Sequence, residues 1–158
     1  MMKQHRLLLI DDDESVTSAL AKLLRGDGFL VETAASAAHA VTVFSASPPD
    51  LVLLDLGLPD RDGWDVYEMM ALIEPLTPIV VLTARPGQVT MACAAGIGAL
   101  VEKPADPETL LRLIRRLLDE SAQTRLERLV IGRPPTRWIQ PGATRNAERP
   151  TDLPLRIS

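Results

Sequence analysis

The sequence predicts an α/β protein: a doubly wound, five-stranded parallel sheet with five helices. Two observations carry this prediction. Five short β-type runs alternate with segments of helical spacing, the pattern of successive βα units. The strongest runs, RLLLI at 6–10, LVLLD at 51–55 and IVVLT at 79–83, each hold four consecutive apolar residues, as strands covered on both faces do. Right-handed crossovers leave few ways to connect such units.

The elements follow in order. Residues 6–10 form the first strand. Residues 15–25 are helical, with Val16, Leu20, Leu23 and Leu24 on one face, and Gly26 and Gly28 end the helix. Residues 29–33 make a weaker strand. The Ala-rich segment 36–46 is a helix with Ser36 at its N-cap, closed by Pro48-Pro49. The strand 51–55 leads into GLPDRDG at 57–63, a loop rich in Gly, Pro and Asp. A helix at 64–73, a turn bracketed by Pro75 and Pro78, and the strand 79–83 come next. Residues 88–95 form a short helix ended by Gly96 and Gly98, and ALVE at 99–102 is the fifth strand. Asp106 at N-cap and Pro107 at N1 start the last helix, which buries Leu110, Leu113, Ile114, Leu117 and Leu118.

The 158 residues divide by charge. Residues 1–120 hold 10 Lys and Arg against 18 Asp and Glu, a net of −8, whereas residues 121–158 hold 7 Arg against 3 acids, a net of +4, with five of the 13 prolines. This indicates a domain over 1–120 and a C-terminal extension over 121–158. Leu126, Leu129 and Val130 continue the helical spacing to about residue 131. Gly132 and Pro134-Pro135 end it, and the Pro- and Arg-rich remainder, 136–158, reads as disordered or loosely extended.

Composition removes several classes. One cysteine, Cys93, excludes a disulfide framework, and with only His5 and His39 there is no His-based metal cluster. The longest apolar runs span four or five residues, too short for a membrane span or a signal peptide, so the expected location is the cytoplasm.

Parallel strands deliver their carboxyl ends to one edge, where function collects. The first strand ends in Asp11-Asp12-Asp13, the third in Asp55, the fourth in Thr83 and the fifth in Glu102 and Lys103. Two carboxylates about 4 Å apart repel by roughly 4 kcal/mol at an effective dielectric of about 20. Asp11, Asp12 and Asp55 therefore call for a cation. Hard oxygen ligands suit Mg2+, which retains waters and shares phosphate oxygens. Beside it, an ionised Asp55 can attack phosphorus, while Thr83 and Lys103 can contact the equatorial oxygens.

The stretches LLLIDDDESV, DLVLLDLGLPDRDGWDV, PIVVLTAR and EKPADPETL, in that order over about residues 5–120, resemble the receiver domains of response regulators in two-component signalling, the CheY-like superfamily with its flavodoxin-like fold. The resemblance implies a Mg2+-dependent phosphoacceptor switch, a signalling protein rather than an enzyme. Asp55 would take the phosphoryl group from the phosphohistidine of a sensor histidine kinase or phosphotransfer protein. Asp12 would ligate Mg2+ directly and Asp11 through water, with Asp55 and the Gly57 carbonyl completing the protein contacts. Thr83 would bond the phosphoryl group, Lys103 would pair with it, and Pro104 would follow a cis bond.

The sequence departs from the family pattern in places. Leu100 stands where the family usually has Tyr or Phe, which puts aromatic coupling to Thr83 in doubt. The stretch from Thr83 to Lys103 is short, so the fourth helix is expected to be short or irregular. Gly57 and Arg85 stand at positions whose side chains, in the family this sequence resembles, tune how water reaches the phosphoryl group, and Gly57 offers no side chain to orient one. Slow self-dephosphorylation is expected.

Plainer roles go to other residues. Asp13 caps the first helix, Glu102 is solvated, Cys93 and His39 are ordinary helix residues, and Trp64 and Tyr67 pack on the third helix. For the extension, a solvated tail is the first reading. A partner-binding or homodimer-forming segment is the second. Direct nucleic-acid binding is not expected, because no helix-turn-helix follows. The main expectation is a stand-alone receiver that signals through protein contacts with a downstream protein. A transcriptional regulator acting on DNA through the tail or a partner is the alternative. A haloacid-dehalogenase-type phosphatase would need a second Asp where Gly57 stands.

Overall fold

In the computed structural model, which describes residues 3–143 and 149–150, the first apolar run forms β1, Arg6–Ile10, with Leu7 to Ile10 almost free of solvent contact. The chain divides into two units, residues 1–79 and 80–158.

In the first unit β1 lies between β2, Leu30–Ala34, and β3, Leu51–Leu54, and both pairings are parallel. Burial on both faces explains why Leu51 to Leu54 show no polar alternation. Helix α1, Glu14–Gly26, starts at Asp13, whose carboxylate accepts the amides of Ser15 at 3.0 Å and Val16 at 3.3 Å. Helix α2, Ala37–Ala46, starts at Ser36, whose hydroxyl accepts the His39 amide at 3.2 Å, and it buries Ala37, Ala40 and Phe44. Helix α3, Gly63–Ile73, starts at Asp62, buries Val66 and Met70, and stacks Trp64 edge-on to Tyr67 with ring centroids 6.0 Å apart. These caps satisfy amides that have no partner within the helix.

In the second unit β4, Ile79–Thr83, pairs parallel with β5, Ala99–Glu102. Between them α4, Val89–Ala95, has seven residues, which agrees with the short fourth helix expected, and Gly96 closes it at φ 67°. Helix α5, Pro107–Asp119, starts at Asp106, whose carboxylate accepts the Thr109 amide at 2.9 Å. Two bonds from Thr109 hold the Asp106 carboxyl below its ordinary value, the side-chain bond more strongly than the backbone one. Leu110, Leu113, Ile114 and Leu117 are buried as expected, while Leu118 is half-buried and Thr109, at the other end of the helix, is buried.

The α/β class and the parallel pairing match the sequence reading, but the count does not. The described residues contain seven strands and six helices. The last helix does not run on to residue 131. It stops at Asp119, Glu120 turns extended, and Ser121 caps a separate helix α6, Ala122–Ile131. The reason is local: the Ser121 hydroxyl accepts the Thr124 amide at 3.1 Å, a bond that favours a new start over continued helix. Gly132 ends α6 at φ 68°, as expected.

Part of the stretch read as disordered or loosely extended is an ordered strand. β6, Arg137–Ile139, extends the sheet beyond β5 in parallel, and β7, Arg149–Pro150, pairs antiparallel with β6. Trp and Ile suit a strand, and the β5 edge supplies the ladder that local sequence cannot reveal. Residues 144–148 and 151–158 lie outside the described residues.

Candidate functional site

Strand register builds the acidic cluster. Ile10 stands opposite Leu54 in the parallel β1–β3 pair, so Asp11 and Asp55 leave the sheet at the same level. The Asp55 amide donates to the Ile10 carbonyl at 2.8 Å, and the Asp11 amide to the Ala34 carbonyl at 3.1 Å. One carboxylate oxygen from each of Asp11, Asp12 and Asp55 lies within 4.8 Å of the others. Asp11 is 3% exposed, Asp55 half-buried and Asp12 exposed.

The three acids have different local partners. Asp11 accepts the Asp13 amide at 2.9 Å, which orients its carboxylate at the start of the loop. Asp13 turns away to cap α1, as expected. Asp55 accepts the Gly57 amide at 3.2 Å. Three carboxylates this close repel one another when ionised, on the order of 3–4 kcal/mol per pair at an effective dielectric of about 20. A hard divalent cation offsets that repulsion with oxygen ligands alone. The donor set fits Mg2+.

The Asp55 loop is fixed by residues that the sequence reading left without a role. The Gly63 amide donates to the Leu56 carbonyl at 2.9 Å, and a Cβ at residue 63 would lie 2.5 Å from Leu56 Cα. Asp60 accepts the amides of Ala37 at 2.8 Å and Ala38 at 3.1 Å, tying the loop to the first turn of α2. Those bonds hold the Asp60 carboxyl below its ordinary value. The signal for both was present in DRDG, as an acid and a glycine, but turn composition alone does not say what they touch. Gly57 is exposed, and a Cβ there would meet only Asp55 Oδ1, at 4.0 Å.

In the second unit Thr83 ends β4 and is 1% exposed; its hydroxyl accepts the Arg85 amide at 3.0 Å. Thr83 stands opposite Glu102, and the Lys103 amide donates to the Thr83 carbonyl at 2.8 Å. The register thus brings Thr83 and Lys103 to one end of the β4–β5 pair. The Lys103–Pro104 peptide is cis, as the resemblance implies. Glu102 is not a solvated residue: it is half-buried and accepts the Trp138 indole N–H at 2.5 Å. Leu100 is buried opposite Trp138 in the β5–β6 register. His39 is an exposed helix residue and Cys93 lies within α4, both as expected, and the Cys93 thiol is half-buried. No helix among the described residues is long and apolar enough to cross a membrane.

Comparison with known proteins agrees with this fold. Residues 7–115 match the response regulator receiver domain family. The chain is 36% identical over 131 residues to the DNA-binding response regulator MtrA of Mycolicibacterium smegmatis, covering 82% of this chain and 57% of that protein. It is 33% identical over 129 residues to the transcriptional regulatory protein GlrR of Escherichia coli, covering 80% of this chain and 29% of that protein. The chain thus spans well under two thirds of the length of these relatives. Among solved structures, the receiver domain of HemR from Leptospira biflexa superposes with a TM-score of 0.71 at 31% identity, over 75% of this chain and 97% of that one. A CheY-like receiver domain protein from Methanospirillum hungatei does so at 0.71 and 28%, over 74% and 95%. The chain belongs to the response regulator receiver domain family.

Proposed function

We propose that this receiver domain is a Mg2+-dependent phosphoacceptor switch in a two-component system, with Asp55 as the residue that takes the phosphoryl group. The observation that carries the reading is the approach of Asp11, Asp12 and Asp55 to within 4.8 Å at strand ends set level by the β1–β3 register.

Asp11, Asp12 and Asp55, with the Gly57 carbonyl, would hold the metal. The chemistry a bound Mg2+ supplies is neutralisation of charge on the phosphoryl oxygens. An Asp55 carboxylate oxygen attacks the phosphorus of a phosphohistidine on a sensor histidine kinase or phosphotransfer protein. The O–P bond forms as the N–P bond breaks, and the imidazole leaves with the bonding pair. The Lys103 ammonium pairs with the transferred group, and the Thr83 hydroxyl, which accepts an amide in the resting protein, donates to it. Lys103 is one of only three lysines against 14 arginines, consistent with a compact point charge. The output is a contact with a downstream protein in the cytoplasm, and the protein acts as a signalling element rather than an enzyme.

The test is incubation with Mg2+ and acetyl phosphate, followed by intact mass. The expected result is a gain of one phosphoryl group that is absent in Asp55→Asn and after chelation. A gain that persists in Asp55→Asn overturns the assignment.

A second reading, action on DNA, is favoured by the names of relatives such as MtrA, a DNA-binding response regulator. A mobility shift on duplex DNA with the full chain tests it; no shift at low salt, where phosphate contacts are strongest, rejects it.

A further inference from the structure

The C-terminal extension contains an element that the receiver function does not account for. Residues 121–142 lie beyond the 7–115 match, yet within them β6, Arg137–Ile139, pairs with the edge of β5. The attachment is mainly polar. The Thr136 hydroxyl donates to the Ile97 carbonyl at 2.7 Å, the Arg137 amide to the Gly98 carbonyl at 3.2 Å, and the Gly142 amide to the Pro104 carbonyl at 2.9 Å. Trp138 donates its indole N–H to Glu102. Arg128, 3% exposed, pairs with Glu120 and also donates to the Pro134 carbonyl.

Two features show that this attachment is not optimised for permanence. First, it buries little apolar surface. In β6 only Ile139 is buried, and in α6 the one buried side chain is Arg128, while Leu126, Val130 and Ile131 are exposed. Segments with few buried apolar contacts open at low cost. Second, two buried polar atoms, Glu120 Oε2 and Arg125 Nε, have no hydrogen-bond partner among the described residues. Burial of such groups opposes docking, and opening restores their hydration.

The strap is also joined to the residues assigned to the phosphoryl group. Glu102, which holds Trp138, stands opposite Thr83 and immediately precedes Lys103, whose amide bonds the Thr83 carbonyl. A displacement of Thr83 and Lys103 toward an anion moves the backbone that carries the Glu102 carboxylate. The bond between Glu102 and Trp138 joins that backbone to the strap.

We propose that residues 121–142 are an intramolecular strap that occupies the β5 edge in the resting protein and is released when Asp55 carries a phosphoryl group, with Glu102 and Trp138 as the link. This rests on the phosphoacceptor reading above. Release frees the β5 edge and the polar groups that β6 covers. By linkage, whatever loosens the strap also raises affinity for the phosphoryl mimic by the same factor.

The experiment uses the full chain with Mg2+, with and without beryllofluoride, and reads amide exchange over residues 136–140. Trp138 emission is read in a Trp64→Phe background, where it is the only tryptophan. The bound fluorides are observed directly by fluorine NMR. The expected result is exchange about tenfold faster with the mimic, a red-shifted Trp138, and neither change in Asp55→Asn. Thr136→Val, which removes the bond to Ile97, is expected to bind beryllofluoride about threefold more tightly. Bound fluoride with unchanged or slower exchange overturns the strap and leaves the phosphoacceptor reading intact. Absence of bound fluoride overturns both.

Discussion

Gly63 and Leu56 approach more closely than any side chain at residue 63 would permit. A Cβ there would lie 2.5 Å from Leu56 Cα and 2.8 Å from the Asp55 carbonyl oxygen, while the Gly63 amide bonds the Leu56 carbonyl at 2.9 Å. The start of α3 is therefore packed against the backbone that carries Asp55, and only a residue without Cβ allows it.

Gly63→Ala is expected to destabilise the protein by about 1–3 kcal/mol, the range for overpacking a closed site, and to slow phosphoryl acceptance at Asp55. Urea denaturation and the acetyl phosphate reaction measure the two. An alanine variant as stable as the parent would show that the loop yields freely.

Asp12→Asn removes one charge from the cluster and leaves its shape. Mg2+ affinity is expected to fall about tenfold or more, since a unit charge against a divalent cation is worth over ~1.4 kcal/mol even at an exposed position. Titration calorimetry checks it. Equal affinity in the variant would remove Asp12 from the ligand set.

Gly57 leaves open the space beside Asp55 Oδ1, and a methyl group at residue 57 would meet no other atom within 4 Å. A polar side chain there can orient a water toward the phosphoryl group. Gly57→Asn is expected to shorten the phospho-form lifetime about tenfold, equivalent to ~1.4 kcal/mol of barrier. Loss of the phosphoryl group is followed by mass after the donor is removed. A parent phospho-form that decays within seconds without a phosphatase would contradict the slow self-dephosphorylation expected from Gly57.

Asp60 ties the Asp55 loop to α2 through the amides of Ala37 and Ala38, which lower its carboxyl from the ordinary 3.8. With the folded value depressed, its contribution to stability is fully present above about pH 3.8 and is lost as pH falls through the lower folded value. Asp60→Asn should therefore melt below the parent at pH 7 and pH 5, with the gap narrowing toward pH 3. A gap that is constant with pH would mean that the charge plays no part.

Much of the site was legible because its signals are local. An acid directly after an apolar run marks a strand end, and LLLIDDD and LVLLD carry that pattern on two strands that pair. The caps at Asp13, Ser36 and Asp106 are equally local, each set by an oxygen two or three residues before the amide it accepts. Glu102 was misread for the opposite reason. Its partner, Trp138, is 36 residues away, in a segment whose arginines and prolines resemble those of an unfolded tail.

Local pattern was enough for the order of the elements from β1 to α5, the parallel α/β class, the receiver family and the identity of the residues at the strand ends. Periodicity, capping and turn chemistry act over a few residues and are written in the chain. Three outcomes needed the folded molecule: that Asp11, Asp12 and Asp55 come within 4.8 Å, that Gly63 must lack a side chain, and that β6 occupies the β5 edge. They depend on strand register and on which edge is left to be filled. Both are set by contacts between residues far apart in the chain, which no local pattern encodes.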